Sequence, residues 1–240
     1  TGCLSRGRVP DIAGLDSFAG KWFHTGHWPK EPVDLAGKRV AVIGTGSTGI
    51  QIIPAIADEV GELTVFQRTP SFSVPARNRP MDPAFEQRFL RERDEFLREM
   101  IAGTIFGSGD LEQSAESRQF VAESAMAVSE SERKRVYQEQ WDRGGSKFMV
   151  CFPDQMVDPQ SNEAACDFVR AKIAETVHDS ELAEILMPRG YPLGSKRICL
   201  DTDYYQTYNR DNVHLVNALV EPITAIEPQG IRTSNALYPV

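Results

Sequence analysis

Hydrophobic and polar positions along the chain fall into distinct regimes. Through residues 1–36, glycine and proline interrupt any period, which reads as an extended connection between domains. Residues 37–74 carry two short apolar runs, Val40–Ile43 and Leu63–Phe66, with a helix-compatible segment from Ile50 to Val60 between them. That order predicts strand, helix and strand. Pro70, Pro75, Pro80 and Pro83 then punctuate an irregular exit. From about Asp82 to Ser180 the period becomes helical. Phe85, Phe89, Phe96, Leu97, Met100 and Ile101 recur near helical spacing and read as core, while the charged run Arg88–Arg98 reads as a solvated face. Ser129-x-x-Glu132 has the form of a capping box opening a helix toward Trp141. Gly144-Gly145 ends that helix, and Asn162 is expected to cap another through Val177. Residues 191–240 return to strand character, with a strand in Asn212–Asn217 and a hairpin of Pro222–Ile226 and Ile231–Thr233 about Gln229-Gly230. The fold class is α/β, Rossmann-like: one domain (37–81 and 191–240) with a helical insertion (82–190).

The chemistry sits where the first strand meets its helix, in Gly44-x-Gly46-x-x-Gly49. A dinucleotide needs these glycines in this order. The first permits a tight turn, the second lets the pyrophosphate approach the backbone, and the third lets helix and strand pack closely. Free N–H groups at the helix start then face the phosphates. Alone the pattern also fits an ordinary Gly-rich turn; the flanking strand and helix make it a site. Thr45, Ser47, Thr48 and Gln51 fill the positions between and after the glycines. The second strand ends in Gln67-Arg68-Thr69, where an NAD site usually has an acid for the ribose hydroxyls. A guanidinium cannot accept from a ribose but can clamp a 2′-phosphate bidentately, so Arg68, with Thr69 beside it, points to NADP(H). The alternative is a solvated strand-end charge.

Composition narrows the classes. The 240 residues are 41% hydrophobic, enough for one core or two, and the net charge of −8 gives no basic face for nucleic acid. No apolar run approaches the roughly 18 residues of a membrane span, and no signal-peptide pattern opens the chain. Cys3, Cys151, Cys166 and Cys199 are scattered without a C-x-x-C pair, so they read as reduced thiols of a cytoplasmic protein, with no metal site. The opening on Thr1-Gly2 and the stop at Tyr238-Pro239-Val240 suggest a segment excised from a longer protein.

Upstream of the glycine loop lies FAGKWFHTGHWP, residues 18–29. By itself it reads as structure: Gly20 a turn, Trp28 a hydrophobic plug, His24 a satisfied histidine. It resembles, however, the F-x-G-x-x-x-H-x-x-x-W fingerprint of flavin-dependent Baeyer–Villiger monooxygenases. The opening TGCLS is similar to the segment preceding that fingerprint, and GTGSTGIQ with VFQRTP to the family's NADPH loop and second strand. WDRGGSKF and SNEAACDFVRAKI resemble its helical insertion, and SKRICLDTDYYQTYNRDNVHLV the return to the nucleotide domain. The resemblance spans nearly the whole chain.

It implies a parent enzyme using FAD, NADPH and dioxygen to insert an oxygen atom beside a ketone carbonyl, giving an ester or lactone. Residues 1–36 then include the edge of an FAD domain. Lys196 joins Arg68 on the 2′-phosphate, and Arg197 is the catalytic arginine, a fixed cation against developing negative charge. Phe18, Gly20, His24 and Trp28 form a hinge coupling nucleotide binding to domain movement. Asp201, Asp203, Tyr204, Tyr205 and Tyr208 pack behind Arg197. The family's FAD-binding glycine loop has no counterpart here, so FAD is expected to be bound mainly by parts outside this chain, which alone should bind NADP(H) without oxygenating. The rival readings are an N- or S-oxygenating flavin monooxygenase, which usually carries Phe or Tyr in place of Trp28, and a non-catalytic NADP-binding regulatory module.

Overall fold

Parallel strands with buried faces need a crossover helix between them, and the first seventy residues supply one such unit. The computed structural model describes residues 7–103 and 123–240. Strand β1 (Arg39–Ile43) leads into α1 (Ser47–Ile56) and returns as β2 (Glu62–Gln67). After β3 (Ser73–Pro75) come α2 (Pro83–Gly103), α3 (Glu130–Arg143), α4 (Pro159–Thr176) and α5 (Ser180–Leu186). Then follow β4 (Cys199–Asp201), α6 (Tyr204–Thr207), β5 (Val213–Asn217), β6 (Ile223–Glu227), β7 (Gly230–Thr233) and β8 (Leu237–Pro239). The described residues divide into two compact units. One takes those up to Ser73 with Val169–Tyr191 and Asp203–Val240; the other takes those within Val74–Phe168 and Pro192–Thr202.

In the first unit β1, β2 and β5 form a parallel sheet with β2 in the middle, Val42 level with Val65 and Val65 level with Leu215. Ile50 and Ile53 of α1 are fully buried, and α6 packs beside that helix. The Asn212 amide donates to Ala57 O (3.0 Å) and Val60 O (3.1 Å), satisfying carbonyls that the end of α1 leaves open. Strands β6, β7 and β8 form an antiparallel meander. Ile226 and Ile231 of the meander share a buried cluster with Phe66 and Val216 of the parallel sheet, and Phe18 packs against it. The expected hairpin is present. Strand β8 was not expected, because three residues past Ser234-Asn235 carry too short a pattern to declare themselves.

The second unit is helical around an aromatic core. Tyr137 lies 5.4 Å edge-on to Phe152 and 5.7 Å from Phe148, and Trp141 and Phe168 close the group. Phe85 and Phe89 meet the buried Phe96 as their spacing foretold, and the Arg88 guanidinium lies 5.0 Å over that ring. The side chains of Met100 and Ile101 lie outside the described residues.

Three local expectations need revision. Helix α1 begins at Ser47, inside the glycine motif, and not at Ile50. Ser129 caps α3 by accepting from the Glu132 N–H at 3.2 Å, but Glu132 turns its carboxylate to Arg135 at 2.7 Å, so only half of a capping box forms. Asn162 is not a cap. Helix α4 opens at Pro159, a residue pre-set for the first turn, with the Asp158 side chain accepting from the Ser161 N–H at 2.8 Å. Asn162 sits inside the helix with its amide committed elsewhere.

Candidate functional site

The glycine loop takes the form its spacing demands. Gly44 turns the chain at φ +101, and its N–H donates to Phe66 O at 2.9 Å, which tethers the loop to β2. Gly46 caps α1 in extended backbone, with no side chain across its first turn. A Cβ on Gly49 would stand 2.2 Å from Gly44 O, far inside contact distance, so only glycine lets helix and strand approach this closely. By contrast, a Cβ on Gly44 or Gly46 would meet nothing within 4 Å. The loop therefore presents open space beside the N-terminus of a ten-residue helix, where the first-turn N–H groups lie outside the helix's own bonding and, with the macrodipole, favour an anion. Ser47, Thr48 and Gln51 are exposed on the same turn. A dinucleotide pyrophosphate fits this cradle.

At the end of β2 the side chains part ways. Gln67 is buried, whereas Arg68 and Thr69 are exposed. Arg68 has no ion-pair partner among the described residues. Thr45 is buried too. Its Oγ1 lies 3.2 Å from Gln67 Oε1 and 3.4 Å from Thr69 O, so its hydroxyl faces the protein and its backbone faces the loop. The structure thus gathers Gly44–Gly49, Gln51, Arg68 and Thr69 at one end of one unit.

Lys196 and Arg197 lie in the other unit, exposed on the turn leading into β4. That turn is held by Asn162, which accepts from the Leu193 N–H at 2.9 Å and donates to Leu193 O at 3.0 Å and Gln155 O at 2.9 Å. Beyond β4, Tyr204, Tyr205 and Tyr208 are buried in the first unit, the Tyr208 hydroxyl 3.0 Å from that of Tyr204. Burial, reinforced by Tyr204, raises the Tyr208 phenol well above its ordinary value, which suits packing and not proton transfer.

Residues 18–28 combine local contacts with the packing of Phe18 on the Phe66 cluster and an Ala19 N–H bond to Pro228 O at 2.9 Å. The Phe18 ring lies over Gly20, where a Cβ would fall 2.7 Å from Phe18 Cζ. His24 Nδ1 accepts from the Gly26 N–H at 3.1 Å, which leaves the ring proton on Nε2. Trp28 is 41% exposed, with Phe23 5.4 Å away. Of the cysteines, Cys3 lies outside the described residues; Cys151, Cys166 and Cys199 are buried and in no disulfide, and burial pushes the Cys151 thiol up to about 12. Among the described residues no group of three or more His, Cys, Asp or Glu could hold a metal ion, and no helix is long and apolar enough to cross a membrane. Gln67 and Asn162 escaped the sequence reading as site residues. Their partners lie far along the chain, and no local pattern announces such contacts.

No protein-family model matches the chain. It is 41% identical over 233 residues to a Baeyer–Villiger monooxygenase of Pseudooceanicola batsensis, covering 96% of this chain and 41% of that protein. It is also 41% identical over 238 residues to the phenazine N-monooxygenase PhzNO1 of Lysobacter antibioticus, covering 98% of this chain and 42% of that one. Among solved structures, OTEMO in complex with FAD and NADP superposes with a TM-score of 0.90 at 39% identity, across 100% of this chain and 44% of that chain. The chain spans about two fifths of the length of these relatives, and along nearly all of itself it is homologous to Baeyer–Villiger and related flavin monooxygenases.

Proposed function

We propose that this chain is the NADP-binding segment of a flavin-dependent Baeyer–Villiger monooxygenase, an enzyme inserting one atom of dioxygen beside a ketone carbonyl to give an ester or lactone. The observation that carries the reading is the pairing of the Gly44–Gly49 cradle with an exposed Arg68, without an ion-pair partner among the described residues, at the end of the adjoining strand. The coenzyme, when bound, supplies a hydride to the flavin. The chain's own residues bind and orient it. The N–H groups at the start of α1, with Ser47, Thr48 and Gln51 beside them, hold the pyrophosphate, and Arg68 with Thr69 holds the 2′-phosphate. Lys196 is proposed as a second cation for that phosphate. Arg197 is proposed as the catalytic cation that opposes negative charge developing on the transferred oxygen.

Phe18, Gly20, His24 and Trp28 are proposed as the hinge, acting through their local packing and not through acid–base chemistry. The nucleotide-binding domain is taken as 37–81 and 191–240, with 82–190 inserted in it and 1–36 leading from the FAD domain. The described residues present one strand–glycine-loop–helix cradle, and NADP fits it; FAD is assigned to parts of the intact protein outside this chain. Buried reduced thiols favour a cytoplasmic setting, and the net charge of −8 disfavours nucleic acid.

Calorimetric titration of the chain with NADP⁺ and NAD⁺ tests the reading. A charge-assisted contact to the 2′-phosphate is worth about 2 kcal/mol, a preference of roughly 30-fold for NADP⁺. Arg68→Ala should lose most of that preference and leave NAD⁺ binding unchanged. Equal affinities in the parent chain would refute the NADP assignment. A second reading, oxygen transfer to nitrogen, is favoured by the equal identity to an N-monooxygenase. Products formed by the intact enzyme from a cyclic ketone and from an aromatic amine decide between them; oxidation of the amine alone would displace the ketone reading.

A further inference from the structure

Gln67 is the last residue of β2 and only 2% exposed. A primary amide in such a place is costly unless both of its ends are bonded. Both are. Nε2 donates to Ile185 O at 2.8 Å, and Oε1 accepts from Thr45 Oγ1 at 3.2 Å. The Gln67 backbone carbonyl also accepts from the Ala218 N–H at 2.8 Å. One side chain thereby joins the end of α5 to the loop between β1 and α1, partners separated from it by 118 and 22 positions. All of these groups lie within a single unit.

Thr45 stands between the first two glycines of the cradle, and its one hydroxyl proton is directed inward by Gln67 Oε1 and Thr69 O. Glycine backbone on either side imposes little conformational preference of its own. The Thr45 rotamer is thus a constraint on the loop geometry beside the Gly44 N–H bond to Phe66 O. We infer that Gln67 is a positioning residue for coenzyme binding. It locks Thr45, and through Thr45 the backbone of Gly44–Gly46, in the conformation that aims the α1 N–H groups at the pyrophosphate.

The identity of the residue follows. A glutamate here would place an anionic oxygen against the Ile185 carbonyl, acceptor against acceptor, while the amide satisfies a donor's hydroxyl and an acceptor's carbonyl together. The arrangement also divides labour along the strand end. Gln67, turned inward, serves the pyrophosphate that NADP and NAD share, and Arg68, turned outward, serves the 2′-phosphate that only NADP carries.

This inference rests on the reading of residues 44–49 as the pyrophosphate cradle, and its test separates the two. Gln67→Leu, Thr45→Val and the double variant are compared with the parent by two measurements: hydrogen exchange of the ligand-free chain, and calorimetric titration with NADP⁺ and NAD⁺. Loss of one such bond corresponds to a factor of roughly ten. Each single variant should speed exchange in residues 44–50 by about that factor without affecting 213–217, and should weaken both coenzymes by a common factor. The double variant should be no worse than the weaker single one, since both remove the same link. Unchanged loop exchange, losses that multiply in the double variant, or weakening confined to NADP⁺ would each overturn it. If Gln67→Leu fails to fold, Thr45→Val decides by the same criteria. A parent chain that binds neither coenzyme refutes the cradle, and this inference falls with it.

Discussion

Gly49→Ala is the substitution whose outcome the structure prescribes most fully. The new Cβ would stand 2.2 Å from Gly44 O. Carbon and oxygen rarely approach closer than about 3.3 Å, so α1 and the loop must separate by roughly 1 Å. Overpacking of this kind costs about 1–3 kcal/mol, which for a chain of this size lowers the melting temperature by several degrees. The same displacement carries the N–H groups of the first helical turn out of hydrogen-bonding range of a phosphate seated in the original loop. Loss of two charge-assisted bonds, about 1.5 kcal/mol each, weakens NADP⁺ about 100-fold. Gly46→Ala is the control, because a Cβ there meets no protein atom within 4 Å. It should leave the melting temperature unchanged while its methyl occupies the space that the pyrophosphate needs. Thermal denaturation and calorimetry on both variants separate the two roles. A Gly49→Ala chain that melts and binds like the parent would refute the close-approach argument, and a Gly46→Ala chain with parental affinity would refute the cradle.

Other parts of the molecule yield further expectations. Asn162→Ala removes three bonds to the backbone of Leu193 and Gln155, so the turn carrying Lys196 and Arg197 should exchange its amide hydrogens faster while β1 and β2 stay protected. Stability should fall by on the order of 3 kcal/mol, and unchanged exchange at 193–197 would count against the clamp. Asp154 gives a pH dependence. Burial acts to raise its pKa, but hydroxyl donors Ser124 (2.6 Å) and Ser161 (2.5 Å) and the Ala125 N–H (3.1 Å) outweigh it, holding the carboxyl below its ordinary value. A depressed carboxylate stabilises the fold above its unfolded-state pKa and loses that contribution as pH falls through the lower folded-state value. The parent should therefore exceed Asp154→Asn in stability near neutrality, with the difference closing below about pH 4; a constant difference across that range would contradict the assignment. Mixed with FAD, NADPH and a cyclic ketone, the chain should yield no ester, and turnover would overturn the placing of FAD outside it.

The legible parts were those whose signal is local. The strand, three glycines and helix at 39–56 follow from one apolar run and one spacing, and Arg68 from its place at the next strand's end. The hairpin declared itself through Gln229-Gly230. Signals resting on distant partners were silent: Gln67 looks like any polar strand end until Ile185 is beside it. Asn162 reads as a cap because asparagine so often is one. Asp158-Pro159, four and three residues earlier, is the better signature, since proline at the first helical position needs no N–H and aspartate accepts from the turn it opens. Strand β8 fell below detection because three residues cannot display a period.

The central claim is that one end of the β1–α1–β2 unit is the coenzyme site, and amide chemical-shift mapping of the isotopically labelled chain titrated with NADP⁺ tests it most directly. Saturable shifts are expected, concentrated at Gly44–Gln51 and at Arg68–Thr69, with the Arg68 shifts reduced when NAD⁺ replaces NADP⁺. Saturable binding that leaves Gly44–Gly49 unmoved would contradict it.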